Sequence, residues 1–147
     1  MIGLEVIKNN ESDNFLYKFF EGIDFQKYKW VIDHEEILFE EDKKFFDSET
    51  LNGQDFFKCI IRKNYYIVFL DLKIYKAEGI KTEIETYNDY LKSDCEMIFL
   101  CSDAKYINFY CKDREVLDKI FQNCLNNNLN ASKINYENNY RTKMSVW

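Results

Sequence analysis

Glycine, proline and histidine are scarce in this sequence, and each shortage excludes a class of site. The 147 residues include four glycines and no proline, against about ten and about seven at average usage. Gly3 and Gly22, the closest two glycines, are 19 positions apart. A loop that binds phosphate needs clustered glycines so that backbone N–H groups can approach the anion. The sequence therefore excludes a Walker loop, a dinucleotide-binding fingerprint and a nucleophile elbow.

Histidine and cysteine together exclude the common metal sites. His34 is the only histidine, so one chain cannot hold a metal ion with two imidazoles. No two cysteines have the C-x-x-C spacing of a zinc knuckle or a redox dithiol. We therefore expect no metal and no cofactor.

The cysteines also indicate a cellular compartment. Their number is odd, each lies in an apolar segment, and the chain does not begin with an export signal. They are Cys59, Cys95, Cys101, Cys111 and Cys124. We predict free, buried thiols in a reducing compartment, which places the protein in the cytoplasm. The longest apolar run, residues 65–70, is too short to span a bilayer, so we expect no membrane partner.

Charge is distributed unevenly along the chain. The net charge is −6, which disfavours nucleic acid and anionic membranes as partners. Residues 1–60 carry 14 acidic and 7 basic side chains, whereas residues 61–147 carry 12 and 13. Residues 33–49, here called the acidic segment, hold eight acids and two lysines. The net charge of the protein is therefore concentrated in and around one stretch.

The acidic segment has two interpretations. It is either a solvated loop or a docking surface for a basic protein partner, where complementary charge raises the association rate. Three phenylalanines interleave with the acids; exposed rings would contact a partner, and buried rings would fix the loop. The candidate partner-binding residues are Glu35, Glu36, Glu40, Glu41, Asp42, Phe45 and Phe46.

Two residues are candidates for acid–base chemistry. Asp71 interrupts an apolar strand, where a buried carboxylate would need a partner. It either faces solvent, pairs with a lysine, or acts as a general acid or base; we favour the first two. His34 is the only imidazole base. No second catalytic group is identifiable by spacing, so we assign no catalytic residue.

The pattern of apolar residues predicts one α+β domain over residues 1–147. The sheet should be mixed and largely antiparallel, with about four helices. Residues predicted to begin helices as N-caps are Ser12, Asn52, Thr86 and Asp113. Residues 65–70 are apolar throughout, which predicts a central strand covered on both faces.

Further strands are expected around these helices. Residues 28–33 and 36–40 should form a strand pair or one bent strand, and residues 96–101 and 106–111 a hairpin. Residues 132–136 and 142–147 are candidate final strands, with Trp147 packed on the sheet or contacting a partner.

Three stretches of the sequence resemble a known family. They are residues 22–30 (GIDFQKYKW), 64–72 (NYYIVFLDL) and 141–147 (RTKMSVW). They resemble a family of small uncharacterised bacterial proteins, a domain of unknown function, and the likeness covers nearly the whole chain. This family supplies no activity or catalytic residues. More loosely, an acidic, aromatic-rich α+β domain without a catalytic motif is similar to immunity proteins that neutralise bacterial toxins.

Two kinds of function follow as hypotheses. The first is a non-enzymatic binding module, in its most concrete form an immunity-like protein that occludes a basic partner such as a nuclease toxin. Its acids would then stand in for the phosphates of the toxin's substrate. The alternative is a small enzyme of unfamiliar type that uses Asp71 or His34. A structural or regulatory protein differs from the first hypothesis only in its target. The oligomeric state is not predicted.

Overall fold

A computed structural model describes residues 1–9, 13–41 and 43–146. The strands are β1 (Gly3–Ile7), β2 (Tyr28–Leu38), β3 (Thr50–Asn52), β4 (Tyr66–Lys76), β5 (Cys95–Ser102), β6 (Tyr106–Cys111) and β7 (Asn130–Ile134). The helices are α1 (Phe15–Phe20), α2 (Gly53–Ile60), α3 (Tyr87–Lys92) and α4 (Arg114–Asn126). The strands form one sheet in the order β3-β2-β4-β5-β6-β1-β7. The α+β prediction is confirmed, and every strand pair in the sheet is antiparallel.

The sheet has two covered faces because successive side chains of a strand point to opposite sides. Helices α1, α2 and α4 pack on the first face and form the larger core. Its aromatic rings pack closely: Trp30 of β2 stacks on Phe56 of α2 with centroids 4.0 Å apart. Helix α3 and residues 139–146, here called the C-terminal strap, cover part of the second face, where Met144 is fully buried.

Local sequence determines where three of the four helices begin. The side chains of Asn52, Thr86 and Asp113 accept hydrogen bonds from backbone N–H groups two or three residues later. These caps satisfy donors that the first turn of a helix leaves unpaired, and the predictions are confirmed. The predicted cap Ser12 lies outside the described residues, and Asn14 precedes α1 without a side-chain cap.

The continuously buried part of strand β4 lies further along the chain than the predicted residues 65–70. Continuous burial runs over residues 70–75, whereas Tyr66, Val68 and Phe69 are only partly buried. The pairing with β2 is irregular there, at the step from Glu36 to Ile37. Strand β2 itself is one strand with two such irregularities, so the bent-strand alternative is confirmed.

The predicted last strand is wrong for the residues that the structure describes. Residues 142–146 do not join the sheet. The guanidinium of Arg141 instead donates hydrogen bonds to the carbonyl oxygens of Lys143 and Ser145 within the strap, and Met144 between them inserts into the smaller core on the second face, here called the second core. Trp147 lies outside the described residues.

Candidate functional site

The acidic segment starts on β2 and runs through a loop, residues 39–49, to β3. Carboxylates that face solvent belong to Asp33, Glu36, Glu40, Glu41, Asp47 and Glu49. Glu40 pairs with Lys43 at 2.6 Å. Within the described ranges, Glu36, Asp47 and Glu49 form no ion pair. Asp42, another candidate, lies outside these ranges. The segment thus presents a surface of predominantly negative charge.

Phe45 and Phe46 lie beneath this surface and not on it. Their exposed fractions are 1% and 0%, which favours the second of the two interpretations, in which buried rings fix the loop. Phe46 stacks on Phe56 of α2 with centroids 5.6 Å apart, and Phe45 lies 4.5 Å from the ring of Tyr65. Burying large rings against the aromatic core is more favourable than leaving them in water. The two phenylalanines therefore fix the loop.

Arg62, just after α2, fixes the same loop from another direction. Its Nη2 atom donates a hydrogen bond to the carbonyl oxygen of Phe45 at 2.5 Å. Its guanidinium carbon lies 4.4 Å from the ring centroid of Phe39 and 4.3 Å from that of Phe45. Sequence reasoning missed Arg62, because nothing in the sequence links it to a loop 17 residues earlier.

Glu35 ties the loop to β2. Its Oε1 atom accepts a hydrogen bond from the backbone N–H of Phe46 at 3.4 Å, and the side chain is half-buried. Burial raises the pKa of this carboxyl above its usual range, and the N–H groups of Phe46 and Phe45 and the charge of Lys44 oppose that shift. Among the candidate partner-binding residues, Glu35 therefore holds the loop, whereas Glu36, Glu40 and Glu41 face outward.

A second cluster of charges is buried on the other face of the sheet. Asp71 and Lys73, 2% and 3% exposed, are neighbours on β4 and form an ion pair. The Lys73 Nζ atom is also 3.2 Å from an oxygen of Asp33. The backbone N–H of Val146, in the C-terminal strap, donates to the second Asp71 oxygen at 3.2 Å. Burial raises the pKa of Asp71, and Lys73 opposes that shift. Asp71 thus pairs with a lysine and does not face solvent.

His34 lies directly opposite Asp71 in the β2–β4 ladder, so the two residues of the enzyme hypothesis are neighbours. A groove beside His34 is lined by Asp33 and Glu35 on β2 and by Lys44, Ser48 and Glu49 of the loop. Asp71 does not line it. The carboxylate of Asp71 is already bound by Lys73 and Val146, so a substrate in this groove would not reach it.

The fold and the acidic surface define an α+β protein with a charged face beside one sheet edge. The chain belongs to the family described as "Protein of unknown function (DUF2691)", which matches residues 1–145. It is 27% identical over 143 residues to the uncharacterized protein YncE of Bacillus subtilis (strain 168), covering 93% of this chain and 94% of that protein. No solved structure matches the chain at a significant level.

The predicted membership of an uncharacterised bacterial family is confirmed by these matches. Neither match describes an immunity protein, so that resemblance stays a prediction. None of the helices in the described ranges combines the length and apolarity needed to cross a bilayer.

Proposed function

We propose that this protein is a non-enzymatic protein-binding module whose acidic segment docks a basic partner. The proposal depends on one observation, which is that buried contacts hold the acidic segment against the core. Phe45 and Phe46 are buried in the core, and Arg62 binds the Phe45 carbonyl, so the backbone around these two rings is held against the core. A surface that is ordered before binding loses little conformational entropy when the partner arrives.

The sign of the charge specifies the chemistry of the partner. The acidic segment has eight acids and two lysines, and Lys43 is already paired with Glu40. Such a surface attracts lysine and arginine side chains and repels phosphates. The partner is therefore a protein with a basic patch, and the acidic segment accelerates its association.

Toxin neutralisation is the specific case of this function that we favour. A nuclease toxin binds phosphates with basic residues, and the carboxylates of the acidic segment would occupy the same residues. Such a protein would act in the cytoplasm beside its toxin. The five free, buried cysteines suit this reducing compartment.

The test is affinity capture from a native lysate with three forms of the chain. The reversed variant carries Glu36→Lys, Glu40→Lys and Glu41→Lys. The control variant carries Glu78→Lys, Glu83→Lys and Glu137→Lys, at exposed positions outside the acidic segment. Both variants change the net charge by the same amount, from −6 to 0.

We expect the parent and the control variant to retain the same basic protein and the reversed variant to lose it. If both variants lose the partner equally, the overall charge is responsible and the acidic segment is not the docking surface. If the retained protein is acidic, the proposed chemistry is wrong.

A further inference from the structure

A groove lined by tyrosines lies between α3, the start of α4 and the chain that follows β7. Its volume is about 250 Å³, and it is here called the tyrosine groove. Three rings line it: Tyr87 and Tyr90 of α3, and Tyr136 just after β7. Its apolar lining includes Met1, Ile2 and Leu91. Segments that are distant in the sequence therefore meet at one aromatic surface.

The backbone around the tyrosine groove is held by hydrogen bonds. The N–H of Ile2 donates to the carbonyl oxygen of Ile134 at 2.8 Å, and the N–H of Cys111 donates to that of Ile2 at 3.3 Å. Tyr90 is buried, and its hydroxyl donates to the carbonyl oxygen of Glu96 at 2.9 Å. The groove is therefore largely preformed, as sites for small molecules usually are.

The charged residues that line the tyrosine groove, among those that the structure describes, are both cations. The Nζ atom of Lys112 donates to the carbonyl oxygen of Ser93 at 2.7 Å and lies 4.9 Å from the ring centroid of Tyr90. The first contact uses one of the three donors of the ammonium group. Arg114 is the first residue of α4, where the helix dipole disfavours a positive charge, and it forms no ion pair with a described acid. Both cations can therefore bind an anion.

Two neighbouring acids are already engaged elsewhere. The carboxylate of Asp113 accepts hydrogen bonds from backbone N–H groups of α4 as its N-cap. Glu96 pairs with Lys76 at 3.2 Å. Neither acid lines the groove, so a ligand there would meet the positive charges of Lys112 and Arg114.

We propose that the tyrosine groove binds a small aromatic anion, a single ring that carries a carboxylate or a phosphate group. Drug-sized ligands occupy pockets of about 300–1,000 Å³, and this groove is smaller, which favours a single ring. The ring would pack against Tyr87 and Tyr136 in an edge-on or offset arrangement. The anionic group would meet Lys112 and Arg114, and a guanidinium binds either group through two parallel hydrogen bonds. This site is separate from the acidic segment and opposite to it in charge.

The experiment titrates the full chain with two probes, phenyl phosphate and benzoate, and follows the amide chemical shifts by nuclear magnetic resonance. Inorganic phosphate is the control for an anion without a ring, and phenol is the control for a ring without either anionic group. We expect at least one probe to bind about tenfold or more tightly than both controls. Its saturating shifts should lie at residues 87–91 and 111–114. The tighter of the two probes identifies the anionic group.

Three variants locate the binding site. Arg114→Gln removes a cation of the groove, and Lys119→Gln is its matched control, an exposed cation of the same helix outside the groove. We expect Arg114→Gln to weaken the tighter probe about tenfold, through loss of charge-assisted hydrogen bonds, and Lys119→Gln to leave it unchanged. Because Tyr136 is 68% exposed, Tyr136→Leu should fold like the parent, and it should weaken the same probe about threefold or more.

The proposal is wrong if neither probe binds more tightly than the two controls, or if Arg114→Gln and Lys119→Gln weaken the tighter probe equally. Saturating shifts outside residues 87–91 and 111–114 would also overturn it, because the probe would then bind elsewhere. An unchanged affinity in Tyr136→Leu would contradict an aromatic ligand. None of these results depends on the acidic segment, so the proposed function is tested separately.

Discussion

Arg62 and Phe45 are joined by two contacts: the guanidinium lies 4.3 Å from the phenyl centroid, and its Nη2 atom donates a hydrogen bond to the Phe45 carbonyl oxygen. Through this pair, a residue at the end of α2 determines where the acidic segment lies. The segment carries the charge, and contacts from Arg62, outside it, help to hold its buried ring Phe45 in place. The backbone position of this part of the acidic segment therefore depends on packing beneath it.

Replacing Arg62 should loosen the loop without changing its carboxylates. We expect Arg62→Leu to lower the free energy of unfolding by about 1–3 kcal/mol, because a charge-assisted hydrogen bond and two ring contacts are lost. Hydrogen–deuterium exchange at residues 43–49 should become faster. Arg62→Lys is the matched control for charge. It should recover little of the stability lost in Arg62→Leu, since lysine lacks the planar guanidinium. Unchanged exchange in Arg62→Leu would show that the rings alone hold the loop.

The buried pair of Asp71 and Lys73 should respond asymmetrically to substitution. Lys73→Met leaves a buried carboxylate without its closest cation, and we expect a loss of about 3–5 kcal/mol in urea denaturation. Adding Asp71→Asn should recover most of that loss, because the charge is removed while an oxygen remains to accept the N–H of Val146. A double variant as unstable as Lys73→Met would show that the loss does not come from an unpaired charge.

Glu35 should affect the pH dependence of stability. Burial raises the pKa of its carboxyl in the folded state, so the folded protein binds this proton more tightly than the unfolded chain. Between the ordinary value of 4.5 and the raised pKa, protonation of Glu35 therefore increases the free energy of unfolding as the pH falls.

The variant Glu35→Gln keeps an oxygen for the N–H of Phe46 but has no proton to gain. We expect the parent chain to become more stable relative to Glu35→Gln when the pH is lowered from 7 through this interval. Thermal or urea denaturation at several pH values measures the difference. The opposite slope would mean that the ionised carboxylate is favoured by its surroundings.

The cysteines should be unreactive in the folded protein. All five are free and buried, and burial raises the pKa of four of them, Cys95, Cys101, Cys111 and Cys124, to about 12. Only about 10⁻⁵ of such a thiol is ionised at pH 7, and the thiolate is the reactive form. Iodoacetamide should modify the native chain very slowly and should modify five thiols in denaturant without prior reduction. Fewer than five would reveal a disulfide.

Much of the fold follows from local sequence signals. Asn52, Thr86 and Asp113 act as caps within three residues of their own position, so the sequence pattern alone predicts their helices. The hairpin of β5 and β6 is likewise a short-range feature.

The candidate site depends on contacts between distant residues. Phe45 and Phe46 stand among acids without apolar periodicity, and they are buried because Phe56 and Tyr65 lie across from them. Likewise, Met144 is buried in the second core and is not part of a strand at the edge of the sheet. No local pattern in the C-terminal strap specifies this placement. The position of the acidic segment could be predicted from the sequence. Whether its phenylalanine rings face solvent or the core could not.

The most direct test of the docking surface is the association rate constant of the captured basic protein with the parent, the reversed variant and the control variant at two ionic strengths. Near 0.01 M the Debye length is about 30 Å, and near 1 M it is about 3 Å. Peripheral charges chiefly set the rate of encounter, so the parent and the control variant should associate fast at low salt and much more slowly at high salt. The reversed variant should associate slowly at both. Equal rates and equal salt dependence for the reversed and control variants would contradict the account.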